Sequence, residues 1–250
     1  MRLREVNDVV PKPMVQIGER PILWHIMKIY AAHGVNDFVL LLGYKGDLIR
    51  EFFLNFAAHT TDVTIDLSRS DAGRLTFHGK PSEPWRVTLV DTGEAAMTGA
   101  RIRRARRYLD DADCFCVTYG DGVGDVDISA LLAFHRSHGK LATLTGVLPP
   151  GRFGELTDDG GAVRTFNEKP QVSGGCINGG FFVFQKEVLD SVLDDREDLI
   201  LEREPMQRLA AAGELMMYRH EGFWQPMDTP REYELLNDLW ATGKAPWKTW

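Results

Sequence analysis

Cysteine is scarce, with three in 250 residues. That odd set, with Cys114 and Cys116 two apart and no ligating residues spaced around them, excludes a disulfide scaffold and a cysteine-built metal knot. A reducing cytoplasm is the expected setting. A basic excess is also lacking: 29 Lys and Arg against 36 Asp and Glu leave a formal charge of -7, which argues against a nonspecific nucleic-acid surface. Cations that serve a site must therefore be few and placed. No uncharged apolar run approaches the length of a membrane span, and the opening MRLREVNDVVPKP carries no hydrophobic leader. Neither secretion nor membrane insertion is expected. Internal repeats, low-complexity tracts and linkers are absent as well, and the seven histidines show no HExxH spacing. His135 and His138 fall one helical turn apart and are expected at the surface.

What is present is ordinary soluble composition, 44% hydrophobic and 26% charged. Ile22, Leu23, Ile26, Met27, Ile29 and Tyr30 recur at helical spacing and predict a helix over 20–33, ended by Gly34. A continuous apolar run at 38–42 predicts a strand, followed by a helix carrying Leu48, Ile49, Phe52 and Phe53. Alternation between 61 and 90 predicts antiparallel or edge strands with a turn at 71–73. Further helices are expected at 100–109, 127–137, 205–212 and 229–242, with strands at 114–118, 142–147, 163–166 and 180–184. This βαβα rhythm predicts an α/β fold: a Rossmann-like, doubly wound, mostly parallel but mixed sheet with a small C-terminal helical subdomain. One domain over 1–250 is expected, its C-terminal subregion beginning near 186.

Chemistry concentrates where strands end. The apolar run 114–118 delivers Tyr119-Gly120-Asp121-Gly122 to the edge of a sheet, where ligands of α/β proteins sit. Asp121 suits a magnesium ion, and the glycines leave room for close approach, although Asp and Gly also suit a plain turn. Lys12 stands between Pro11 and Pro13, a stiff mount for an ammonium that could neutralise a phosphate, or a surface lysine in a proline turn. Glu168-Lys169-Pro170 repeats that arrangement with a carboxylate beside it. Asn178 and Gly179 precede an apolar strand, a bend that would admit a ligand. Asp228 precedes the final helix, where it suits a metal or a cap. Arg103, Arg104, Arg106 and Arg107 read as a solvated helix face, with Arg101 nearest Thr98 and Gly99.

In order along the chain, PKPMVQIG, PILWHIMKIY, DFVLLLGYKG, VDTGEAAMTGAR, YGDGVGDVD, PPGRFGEL, FNEKP, INGGFFVF, FWQPMDT and GKAPWKTW resemble the glucose-1-phosphate cytidylyltransferases. The resemblance runs from Arg2 to Trp250. It implies transfer of a cytidylyl group from CTP to α-D-glucose 1-phosphate with Mg²⁺, giving CDP-glucose and pyrophosphate for dideoxysugars of bacterial surface polysaccharide, O-antigen and lipopolysaccharide. It further implies that Asp121 and Asp228 hold the metal and that Lys12 contacts phosphate beside them. Arg2, Thr98, Gly99, Arg101 and Gly120 match positions beside the nucleotide, and Glu168, Lys169, Asn178 and Gly179 match positions on the sugar-phosphate side. Relatives form homo-oligomers, so the same is expected here, with neither nucleic acid nor membrane as partner.

The chain departs from the family pattern at its start. Family members carry a loop of the form LAGGxGTRL whose amides hold nucleotide phosphates. Met1 stands where that loop's threonine would be, only Arg2 and Leu3 remain of it, and Val10 replaces the first lysine of KPKP. Two expectations result: an enzyme whose true start lies upstream, or a truncated noncatalytic homologue that binds sugar phosphate or joins an oligomer. A glycosyltransferase on a similar fold suits the two lysines and two aspartates less well.

Overall fold

The computed structural model describes residues 10–68, 75–80, 82–149, 155–159, 162–167 and 175–250. The chain enters through a single 3₁₀ turn at Lys12–Met14 and a short hairpin, β1 (Gln16–Ile17) and β2 (Arg20–Pro21). Helix α1 (Ile22–Ala31) comes next, and Pro21 at its N-cap suits the first turn, where a missing amide is no loss. Its apolar stripe is fully used: Ile22, Leu23, Ile26, Met27, Ile29 and Tyr30 are all buried. Each such side chain contributes about 1.5–3 kcal/mol of transfer free energy.

Strand β3 (Asp37–Leu42) pairs in parallel with β6 (Arg86–Asp91), connected through α2 (Gly46–Leu54), α3 (Phe56–Thr60) and the antiparallel hairpin β4 (Asp62–Ile65) and β5 (Leu75–His78). The hairpin is where alternation predicts it. The run at 86–90 is not antiparallel: it is the return strand of a crossover, its side chains packed beside Phe53 and Leu42. The expected turn at 71–73 lies outside the described residues.

Helix α4 (Thr98–Arg104) then leads to β7 (Cys114–Val117), β8 (Gly122–Gly124), α5 (Ile128–His138) and β9 (Ala142–Val147). The hairpin β10 (Glu155–Asp159) and β11 (Ala162–Asn167) stands apart as a two-stranded sheet. Strands β12 (Ile177–Asn178) and β13 (Phe182–Gln185) complete the central sheet, in which β13 lies antiparallel between β7 and β9. The fold is mixed α/β, as expected. Among the described residues, parallel pairing is confined to two places, β3 with β6 and β9 with β14.

The C-terminal segment carries helices α6 (Val188–Ser191), α7 (Glu204–Ala211) and α8 (Pro230–Ala241), and also two strands that periodicity does not reveal. Strand β14 (Leu215–His220) pairs in parallel with β9, and β15 (Trp224–Pro226) pairs antiparallel with β8. Methionine and histidine in LMMYRH and a three-residue WQP leave little alternation to read, so sheet pairing decides these elements. His135 corrects the surface expectation: it is fully buried, its Nδ1 2.8 Å from Thr143 Oγ1, because α5 packs this face on β9. His138 Nε2 reaches the same hydroxyl at 2.8 Å.

Candidate active site

Three segments meet at the C-terminal end of β7. The first is the PKP turn, in which the Val15 amide donates to the Lys12 carbonyl at 3.0 Å while buried Val15 and Ile17 anchor the hairpin beyond it. The second is the Tyr119–Gly122 turn. A Cβ at Gly120 would stand 2.8 Å from Pro13 Cγ, so only glycine lets the lysine turn lie against Asp121. The space expected for a ligand at Gly120 is filled by the protein itself.

The third segment is brought by β15. Its register opposite β8 places Pro226 beside Gly122, and one residue on the Met227 amide donates to the Asp121 carbonyl at 2.8 Å. That carries Asp228 next to Asp121. Capping is done by its neighbour: Thr229 accepts from the Glu232 amide, and Glu232 Oε2 accepts from the amides of Thr229 and Asp228, each at 2.9 Å. The Asp228 carboxylate is thereby released from the helix end and turned toward Lys12.

Lys12 Nζ donates to Asp228 Oδ1 at 2.7 Å and lies 3.5 Å from Asp121 Oδ2. The two carboxylates thus converge on one ammonium. Hydrogen bonding to Asp228 holds the Lys12 pKa above its ordinary value, while burial pushes Asp121 up despite the lysine beside it. Both move upward because the ion pair dominates for the cation and desolvation for the acid. The three side chains remain 42%, 31% and 46% exposed, so a solvated ion or a phosphate reaches them. Partly exposed pairs of this kind contribute about 0–1 kcal/mol, and Lys12 is held lightly.

A second cluster lies on the other side of Tyr119. Its hydroxyl donates to Glu202 Oε1 at 2.6 Å and accepts from Asn178 Nδ2 at 3.1 Å. Thr98, the first residue of α4, donates to Glu202 Oε2 at 2.7 Å and accepts from the Leu201 amide at 2.9 Å. Asn178 and Thr98, expected on the sugar and nucleotide sides, are thus joined through two residues to which sequence reasoning gives no role. Tyr119 stands inside the motif at 119–122, where the acid and the glycines draw the reading; Glu202, in a charged turn, offers no signal at all.

The other expected residues divide between packing and ion pairing. Arg101 donates to the carbonyls of Leu42, Gly93 and Glu94 and to Thr92 Oγ1, tying the ends of β3 and β6 to α4. Gly99 and Gly179 are close-packed: a Cβ would lie 2.9 Å from Leu199 Cγ at the first and 2.5 Å from Val147 Cγ1 at the second. Arg103 and Arg106 pair with Asp190, and Arg104 with Glu197, so the expected solvated arginine face is partly an ion-pair face. Arg2, Glu168 and Lys169 lie outside the described residues. Among the described residues no group of three or more His, Cys, Asp or Glu side chains gathers into a closed metal cage. Two carboxylates with an open side are the donor set of an ion that keeps waters and shares phosphate oxygens.

A model of the nucleotidyl transferase family matches residues 1–234. The glucose-1-phosphate cytidylyltransferase of Salmonella typhi is 53% identical over 249 residues, covering 100% of this chain and 95% of that protein. A Bacillus subtilis protein named probable glucose-1-phosphate cytidylyltransferase is 43% identical over the same shares. Among solved structures, HddC from Yersinia pseudotuberculosis superposes with a TM-score of 0.65 at 22% identity, covering 92% of this chain and 90% of that one. A putative glucose-1-phosphate thymidylyltransferase from Bacillus anthracis gives 0.62 at 15%, covering 94% and 88%. At such identities these structures speak for the fold, while the sequence relatives and the family model speak for descent: the chain belongs to the nucleotidyl transferase family.

Proposed function

We propose that this chain transfers the cytidylyl group of CTP to α-D-glucose 1-phosphate, releasing pyrophosphate, in the cytoplasm and as a homo-oligomer. The product is an activated sugar for dideoxysugar synthesis toward O-antigen and lipopolysaccharide. The observation that carries the reading is the convergence of Asp121, Asp228 and Lys12, from three distant parts of the chain, at the end of β7. The names of the relatives supply the base and the sugar. Residues 1–250 form one nucleotidyltransferase domain in this reading, with 186–250 its C-terminal subregion.

Asp121 and Asp228 would hold Mg²⁺, hard oxygens suited to an ion that also touches phosphate. When bound, the ion neutralises charge accumulating at the α-phosphorus as pyrophosphate departs. The protein's own part is alignment, since the sugar-phosphate oxygen attacks in line and no group on the chain need become covalently attached. Lys12 lies between the two carboxylates that would hold the ion, and with the ion bound there its ammonium would be available to a phosphate oxygen. Thr98, Gly99, Arg101, Gly120 and Arg2 belong to the nucleotide side in this reading, Gly99 and Gly120 through close packing and Arg101 by tying β3 and β6 to α4; Glu168, Lys169, Asn178 and Gly179 belong to the sugar-phosphate side, Gly179 through its packing on Val147.

Pyrophosphate release with glucose 1-phosphate, compared across CTP, UTP, GTP, ATP and dTTP with Mg²⁺, tests the reading. Turnover selective for CTP is expected. Turnover with another nucleotide in preference to CTP overturns the base assignment, and none with any of the five overturns the reaction.

A further inference from the structure

We propose that Glu202 is a positioning residue for this site, its carboxylate anchoring the Tyr119 hydroxyl on which the Asn178 amide rests at the sugar-phosphate side. The inference rests on the transfer reaction proposed above. Glu202 is an exposed acid at the turn before α7, rooted by buried Leu199 and Leu201. Each of its carboxylate oxygens is taken by a neutral hydroxyl, Tyr119 at 2.6 Å and Thr98 at 2.7 Å.

An ionised carboxylate has no hydrogen to give, so both hydroxyls must donate to it. Every other donor direction is then determined. With its proton committed to Glu202, the Tyr119 oxygen can only accept from Asn178, at 3.1 Å, and Asn178 must therefore present its NH₂ group to the tyrosine. The Asn178 carbonyl oxygen is left to accept from the Gly180 amide at 2.9 Å. Gly180 closes the arrangement, since at φ +75° its hypothetical Cβ would crowd the Tyr119 ring at 3.1 Å. Among the described residues the second Asn178 N–H is uncommitted and remains for an external oxygen, such as a sugar hydroxyl or phosphate.

The polarity of this chain of hydrogen bonds is set at both ends, by the Gly180 N–H, which can only donate to Asn178 Oδ1, and by the Glu202 carboxylate, which can only accept. A glutamine at 202 must therefore keep its carbonyl on Tyr119 and turn its NH₂ to Thr98, so that the tyrosine loses a charged acceptor and the Thr98 hydroxyl loses the partner for its proton. Tyr119, and Asn178 with it, would then be held less firmly. Thr98 depends less on Glu202, because its oxygen also accepts from the Leu201 amide and its backbone belongs to α4.

Steady-state kinetics on Glu202→Gln and Tyr119→Phe, with thermal melts alongside, test the inference. Each variant is expected to raise KM for glucose 1-phosphate about tenfold, the loss of roughly one charge-assisted hydrogen bond, while KM for CTP moves much less. The double variant should be no worse than the poorer single one, as both cut the same chain of bonds. A KM for glucose 1-phosphate within about twofold of wild type in either folded variant, or KM values for both substrates rising together with a lowered Tm, overturns it. A wild-type protein that neither turns over nor binds glucose 1-phosphate removes instead the reading on which it rests.

Discussion

At one end of the site three charges meet across sequence separations of 109 and 216 residues, with Lys12 between Asp121 and Asp228. At the other, one acid gathers neutral groups, Tyr119, Thr98 and, through the tyrosine, Asn178. The triad sets one ammonium against two carboxylates, an excess of negative charge, and its side chains are partly open to solvent. The network is directional: each donor is fixed by the next acceptor, and rearranging it would reverse several bonds together. The difference suits the proposed transfer, in which the open charges would meet the ion and phosphates while the neutral network would orient the sugar.

Breaking the triad has the largest effect on chemistry. Asp121→Asn and Asp228→Asn should each lower Mg²⁺-dependent turnover by at least ~10²-fold, since in the proposed reaction each would remove a ligand to the charge-neutralising ion. Near-wild-type turnover in either variant would detach that residue from the mechanism. The Asp121 variant should also melt slightly higher than wild type, because ionising this half-buried acid works against the fold. Next is the anchor beneath this end: Trp247, fully buried, stacks on Phe223 and Trp240 with ring centroids 5.7 and 6.4 Å away. Trp247→Ala should cost about 3–5 kcal/mol in urea unfolding, a large share of a domain's stability. A loss of less than about 1 kcal/mol would show that the C-terminal tail does not brace the triad.

The lysine sharpens the comparison in the opposite sense. If Lys12 occupies the metal's place, Lys12→Met should bind Mn²⁺ about tenfold more tightly by calorimetry, as a competing cation 2.7 Å from Asp228 is gone. Turnover should fall nonetheless, because the freed ammonium is no longer there for phosphate. Weaker or unchanged Mn²⁺ binding would mean that the lysine supports the ion rather than exchanging with it.

These two ends are not equally legible in the sequence. Asp121 stands out because an apolar strand ends in a glycine-flanked acid, and the main helices emerge from periodicity within a residue or two, as at Ile22–Ala31 and Pro230–Ala241. That Asp228 lies beside Asp121 depends on the pairing of β15 with β8, three residues with no period to read. Here the family resemblance, not the local pattern, points to the residue. Glu202 is invisible for a different reason: its role is defined wholly by partners 83 and 104 positions away, and nothing in its neighbours distinguishes it from a solvated turn acid. Likewise His135 at helical spacing beside His138 reads as surface until β9 covers it.

The smallest effect concerns acid. His25 lies in the anchor of the triad end, fully buried among Trp24, Trp240, Trp247 and Trp250. Its Nε2 donates to the Ile17 carbonyl at 3.0 Å, which leaves Nδ1 to accept from Trp247 Nε1 at 3.4 Å. Burial depresses its pKa to about 4, and a proton on Nδ1 would also confront the indole N–H. A depressed pKa places the stabilising effect above the unfolded value of 6.5; as pH falls from there the unfolded chain takes up the proton first. Stability should therefore decline between pH 6.5 and 4 by up to about 1.4 kcal/mol per pH unit for this residue. Asp121, whose pKa is raised, binds its proton more readily when folded and tempers the slope at the acid end. Urea unfolding at several pH values reads the effect, and His25→Gln, which keeps a donor for Ile17 but does not titrate, should flatten it. An equal slope in that variant would move the acid sensitivity away from the triad's anchor, with His135, also held near a pKa of 4 by burial, the group to substitute next.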